Sequence, residues 1–266
     1  MLELYHDWDS VCATKVRFCL YEKGLEWTSR RVDLCAYEHM TPEYLALNPN
    51  GVVPTLVHDG NPVIESTIIN EYIDDTFPDP PLKPRDALAR ARMRVWVKYE
   101  DDVLHPAIRP ASYALMIKPV VASLPPQTIE QMVRMHPNRD RAANWLKTIK
   151  EPVDESAIVN ARNKADTALD RMERELASNG PWLAGETFSL ADIACAPMID
   201  RMEWLMMAGL WSERPALTDW IARIKDRPAY RKAFPDQAHR LPGPLNPTEG
   251  SLYPNAAPAS VPNSLA

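Results

Sequence analysis

The sequence predicts an α/β layered unit followed by an all-helical domain. Two observations carry that prediction. Residues 1–80 alternate short apolar strands with helices. After a stretch with four prolines in seven residues, 78–84, only helical periodicity remains. A proline-rich stretch between two patterns reads as a linker. The expected organisation is therefore a first domain over 1–80, a linker over 81–85 and a helical domain over 86–235. Residues 236–266 form a tail rich in Pro, Asn, Ala and Ser. It lacks the apolar content to order itself and should lie loose or along the surface.

The elements follow in order. Leu2 and Leu4 share one face of a short strand. A polar loop, His6 to Asp9, precedes a helix over residues 10–23. Cys12, Val16, Cys19 and Leu20 fall on one face of it, and Gly24 ends it. A second strand covers 26–32 and a short helix 42–47. Asn48-Pro49-Asn50-Gly51 is a turn. Strands over 52–57 and 62–64 flank the hairpin dipeptide Asp59-Gly60. Glu65 and Ser66 open the next helix. Further helices are expected over 86–105, 111–134, 155–178, 213–225 and 228–234, with Pro125, Pro126 and Pro152 as breaks. Ser189 and Asp192 are spaced as a reciprocal cap for another helix.

Composition narrows the function. A net charge of -6 argues against a nucleic-acid surface. The N-terminus lacks the basic and apolar regions of a signal peptide, and no stretch reaches the roughly 18 apolar residues of a membrane span. Cys12, Cys19, Cys35 and Cys195 form no metal-like or CxxC spacing. A cytoplasmic protein with reduced thiols and no metal is expected.

Five strings, in order, resemble the cytosolic glutathione transferases. They are Ser10-Val11-Cys12-Ala13-Thr14-Lys15-Val16-Arg17, Tyr21-Glu22-Lys23-Gly24-Leu25, Asn48-Pro49-Asn50-Gly51-Val52-Val53-Pro54, Glu65-Ser66 and Phe188-Ser189-Leu190-Ala191-Asp192. The resemblance implies a thioredoxin-like first domain, glutathione as co-substrate and Ser10 as the catalytic residue.

The chemistry fits such a role. A free thiol is only a few per cent ionised at neutral pH. Lowering its pKa by about two units takes roughly 2.7 kcal/mol. A hydroxyl at a helix N-terminus, together with the dipole, can supply that. The plainer reading makes Ser10 an N-cap, and the roles can coexist. Cys12 is the rival, since the same dipole acidifies a thiol, but its apolar helix face suits packing.

By resemblance, Val53 precedes a cis Pro54 and offers its backbone to the cysteinyl part of glutathione. Ser66 and Glu65 hold the γ-glutamyl end, with a plain helix cap as the alternative. His39 aligns with a contact to the glycine carboxylate, and Cys12 lies beside the thiol. Val52 departs from relatives that carry a polar residue there.

The electrophile pocket is expected between the first helix and the helical domain. Trp8, His105, Tyr113, Trp204, Met206 and Met207 are its candidate walls. Residues 21–26, 65–78 and 91–96, with a charged helical insertion over about 115–160 that includes Trp145, resemble the bacterial β-etherases of lignin breakdown. That resemblance implies an aromatic substrate. The Ser-Val-Cys-Ala start also resembles the zeta-like transferases, which act on small acids. They carry a second Ser where this chain has Val11, and Arg109 is the lone basic candidate for an acid. A glutathione-binding subunit without turnover is a third reading. Asp101 and Asp102 align with an acidic residue that reaches the partner's glutathione, which implies a homodimer or a heterodimer.

Overall fold

The computed structural model describes residues 1–136 and 138–243. Four strands, β1 (Leu2–His6), β2 (Thr28–Arg31), β3 (Thr55–His58) and β4 (Asn61–Ile64), form one sheet in the order β2-β1-β3-β4. β1 and β2 are parallel, and β3 runs antiparallel to both β1 and β4. Asp59 and Gly60 turn the β3–β4 hairpin with φ of 48° and 82°, the two left-handed residues that a twisted hairpin requires. α1 (Val11–Glu22), α2 (Pro42–Leu47) and α3 (Ser66–Thr76) complete this layer.

The strand expected over 52–57 starts only at Thr55, because the Val53–Pro54 bond is cis and Val52 and Val53 lie outside the ladder. The 78–84 stretch, which also holds a cis bond at Asp79–Pro80, is anchored rather than loose. Lys23 Nζ donates to the carbonyls of Phe77 and Pro80 and pairs with Asp74. The Leu82 amide donates to Asp74, and Leu82 accepts from the Leu190 amide.

The helical domain departs from expectation at its first elements. Residues 87–122 form one uninterrupted helical rod: α4 (Ala87–Tyr99), a π turn (Glu100–Leu104), α5 (His105–Ser112), a second π turn (Tyr113–Ile117) and α6 (Lys118–Ala122). The break expected after residue 105 is absent. Pro106, Pro110 and Pro119 each remove a donor and crowd the carbonyl four residues back. The π turns beside them absorb that mismatch by lengthening the hydrogen-bonded loop. Two helices, α7 (Pro126–Met135) and α8 (Arg139–Lys150), form the charged insertion.

α9 (Glu155–Asn179), α10 (Leu190–Trp204), α11 (Pro215–Asp226) and α12 (Pro228–Ala233) follow close to the predicted ranges. The Ser189–Asp192 capping box is present. Buried Asp192 also accepts from the Leu183 amide and from Trp220 Nε1. Arg171 of α9 lies over Trp96 and Tyr99 of α4, 4.9 and 4.1 Å from the ring centres.

One apolar core runs from Leu4 and Leu56 of the sheet, through Val16, Phe18 and Leu20 of α1, to Ile193, Met198 and Trp220. α1 is buried on every side from Ala13 to Leu20, so Lys15 and Arg17 are enclosed with it. Lys15 pairs with Glu100, itself fully buried, and sits 3.2 Å from Asp101. Burial pulls the Lys15 pKa down, but Cys12, Glu100 and Asp101 outweigh it and raise the pKa above the ordinary value.

Over its first residues the tail lies against the protein rather than loose. Residues 236–243 are folded against the protein, and Arg240 and Leu241 are buried. A backbone amide and a guanidinium with fixed acceptors order a stretch whose composition alone would not. Residues 244–266 lie outside the described residues.

The Lys15–Glu100 pair yields a test. Lys15→Met leaves Glu100 buried without its partner and should cost about 3–5 kcal/mol in urea denaturation. Adding Glu100→Met should recover most of that loss, because an apolar pair needs no desolvation.

Candidate functional site

Sheet register brings the three predicted glutathione motifs to one place. Tyr5 of β1 pairs with Thr55 of β3, and Thr55 pairs with Ile64 of β4. The loop leaving β1 toward Ser10, the Val53–Pro54 bond entering β3 and the Glu65–Ser66 step leaving β4 therefore share one end of the sheet.

Ser10 caps α1: its Oγ accepts the Ala13 amide at 3.3 Å. A hydroxyl has two lone pairs and one proton. Capping uses a lone pair, so the proton stays available to donate to a sulfur. The two readings of Ser10 are thus compatible in one geometry.

The loop before Ser10 is clamped by Arg17. Its guanidinium donates to the carbonyls of Asp7, Trp8 and Ala233 and to Thr14 Oγ1. His6 faces Arg17 and Ser29, and burial drives its pKa down to about 3. It is a neutral hydrogen-bonding group at physiological pH.

The Val52 carbonyl accepts from Tyr44 Oη at 2.6 Å and Asn48 Nδ2 at 2.8 Å, which fixes the loop ahead of the cis bond. Val52 itself is exposed and Val53 buried. Glu65 does not cap α3 with its side chain, so the plain capping reading fails. Its φ is 69°, a left-handed value that disfavours any residue with a Cβ. Asn50 Nδ2 donates to Glu65 Oε1 at 3.2 Å. Ser66 follows at the first helical position and is buried.

Cys12 is half-buried at the rim of the core, not inside it. Its Sγ lies 3.7 Å from His105 Nδ1, which joins two of the predicted residues. Burial lowers the His105 pKa, although Glu100 opposes the shift. Asp101 Oδ2 accepts from Thr67 Oγ1, so this acid is engaged within its own chain, while Asp102 pairs with Lys98.

His39 is half-buried against Tyr37, and burial takes its pKa down to about 4. Its ring is neutral near pH 7, so any contact with a carboxylate is a hydrogen bond and not an ion pair. Tyr37 also meets Trp145 of α8, with ring centres 5.4 Å apart, and Met40 packs with Met132 of α7. The charged insertion thus lies over the loop that carries His39.

The expected electrophile walls are less uniform. Trp8 sits among His6, Arg17 and His239. Trp204 lies beneath Arg240. The Tyr113 hydroxyl and Trp204 Nε1 are buried without a hydrogen-bond partner among the described residues. Met207 is wholly inside the helical core and Met206 is exposed, so neither joins the aromatic group. Apolar residue type alone gave them no direction.

Sequence reasoning missed Arg201 and Arg240, which meet the loop before Ser10 from the far end of the chain. No local spacing could have found them. Among the described residues there is no cluster of His, Cys, Asp or Glu able to hold a metal, and no helix long and apolar enough to cross a membrane.

Comparison with known proteins agrees with this arrangement. The glutathione S-transferase N-terminal domain matches residues 9–76 and the glutathione S-transferase C-terminal domain matches residues 127–223. The chain belongs to the glutathione S-transferase family. Among its relatives is Protein LigF of Sphingobium sp. strain SYK-6, 31% identical over 240 residues, with 88% of this chain and 93% of LigF covered. Glutathione S-transferase 3 of Zea mays is 29% identical over 235 residues, covering 87% of this chain and 92% of the relative. The crystal structure of beta-etherase LigF superposes with a TM-score of 0.78 at 29% identity, covering 87% of this chain and 98% of that one.

Glu65 offers a test of the site. Glu65→Gly removes the side chain but suits the left-handed backbone, whereas Glu65→Ala removes it and keeps the strain. Gly should be more stable than Ala by about 1 kcal/mol in chemical denaturation. Both should weaken glutathione binding in calorimetry to the same extent.

Proposed function

We propose that this transferase holds glutathione as a thiolate at Ser10 and delivers it to an aromatic electrophile, a keto β-aryl ether of the kind found in lignin. In this reading residues 1–80 bind glutathione, through Val53, Pro54, Glu65 and Ser66 with His39 nearby, and residues 86–235 bind the electrophile. The observation that supports it is the sheet register, which brings the loops carrying Ser10, the cis Pro54 and Glu65–Ser66 to one end of the sheet. The choice of electrophile rests on the similarity to beta-etherase LigF over most of both chains.

The reaction balances with glutathione alone. The thiolate sulfur forms a bond to the β-carbon as the C–O bond to the aryl group breaks. The phenolate leaves with that electron pair and takes a proton from solvent. The adjacent ketone activates the carbon. Trp8, His105, Tyr113 and Trp204 supply flat walls for two aryl rings, and the unpaired Tyr113 hydroxyl is a donor for the ketone oxygen. The small-acid alternative needs a buried cation in the pocket, whereas Arg109 is exposed.

A cytoplasmic dimer of like or related subunits fits the same reading. Ile68, Leu88, Val95 and Val103 are exposed apolar side chains on α3, α4 and the first π turn. A second subunit covering that face would remove them from water.

The assay is phenol release from a keto β-aryl ether with glutathione present. Ser10→Ala should lower kcat/KM by about 10²–10³-fold, the usual effect of losing one donor to a developing anion. Cys12→Ala should leave it within about threefold. Full activity in Ser10→Ala would reject the thiol assignment. Conjugation of an activated aryl halide without phenol release would reject the ether.

A further inference from the structure

We infer that Asp9, Arg201 and the backbone amide of Leu241 form a positioning device for Ser10, so that the folded start of the C-terminal tail is part of the thiol-activating site. The inference rests on the Ser10 reading above and adds what holds that serine in place.

Asp9 immediately precedes Ser10 and is almost fully buried. Arg201 of α10 donates to both its backbone carbonyl and its side chain; the contact to Oδ1 is 2.7 Å. The other carboxylate oxygen, Oδ2, accepts the Leu241 amide at 2.7 Å. Ser10's own amide donates back to the Asp7 carbonyl at 3.3 Å. The peptide plane between Asp9 and Ser10 is therefore held from both sides. The carbonyl points to Arg201, the amide to Asp7, and rotation of Ser10 away from the end of α1 would break one or the other. A buried carboxylate that accepts from two distant chain segments fixes geometry more tightly than the cap bond alone.

The surroundings are charged and closed. From α10, Asp200 faces Arg240 at 2.7 Å, and from α12 Tyr230 Oη donates to Asp200 at 3.3 Å. Arg240 of the tail approaches Asp9 at 4.0 Å. From the same segment His239 and Asp236 pair beside Trp8. From the first layer Asp7 and Arg17 complete the ring. On the other side of Ser10 stand Cys12 and His105, with Lys15, Glu100 and Asp101 behind them. Residues from 192 and 232 positions along the chain thus converge on the one that precedes Ser10.

Positioning and bare charge predict different signs, and this makes the inference testable. Removing the Arg201 charge raises the pKa of a nearby thiol in either case. Removing the Asp9 charge lowers it if charge alone acts, and raises it if Ser10 loses its place. Leu241→Pro deletes one amide hydrogen and changes no charge.

The experiment uses the full-length protein and three variants, Arg201→Met, Asp9→Asn and Leu241→Pro, with Ser10→Ala as reference. The ultraviolet absorbance of bound glutathione thiolate and kcat/KM with an activated aryl halide are followed against pH. All three variants should raise the thiol pKa by about one unit, a tenfold loss of rate at neutral pH that is recovered at high pH. A loss equal at every pH would mean a structural role only and would overturn the inference, as would a lowered thiol pKa in Asp9→Asn. An unshifted thiol pKa in Ser10→Ala would instead overturn the Ser10 reading, while shifts in that reference alone would overturn only the positioning device.

Discussion

Helix α1 is enclosed on all sides, and the molecule is arranged around that fact. A helix that delivers a polar group to a site from inside the core must satisfy its own charges there. Arg17 does so by gathering carbonyls from the loop before Ser10 and from the end of α12. Lys15 does so by reaching the π turn of the long rod. Each charge therefore ties the first layer to a different part of the helical domain. The sheet, the rod and the last helix meet at α1, and the loop at its start has little freedom.

Local chemistry in the sequence foretold the parts governed by short-range rules. The Asp59–Gly60 hairpin, the Ser189–Asp192 box, the Gly24 stop and the starts of α2 and α3 were all readable from residue type and spacing. Family resemblance added the cis bond at Pro54. What escaped was set by contacts distant in sequence. The helices expected over 86–105 and from 111 onward are joined in one rod, with π turns on either side of α5. Composition left the proline-rich end loose or along the surface, and Asp9 and Asp200 are what capture its first residues.

The site was legible to the same degree. Ser10, Glu65 and Ser66 emerge together because strand register, a local property, aligns their loops. The electrophile walls were harder to foresee. Burial decides whether a methionine or a tryptophan faces a pocket or a core, and burial depends on the whole packing. Met207 and Trp204 lie three residues apart and end in different surroundings. The surplus left-handed strain at Glu65 was likewise invisible, since nothing in a Glu-Ser dipeptide signals it.

The two π turns give the rod over 87–122 a property that a plain helix lacks. A residue added to or removed from such a turn rotates everything beyond it by about 100°, the angle between neighbours on a helix. A change in one turn balanced by the opposite change in the other would rotate α5, which lies between them, and leave α4 and α6 in phase. His105 and Tyr113 each stand at the edge of one of these turns. Such a paired change would redirect the side chains of α5 together while the rod keeps its two ends.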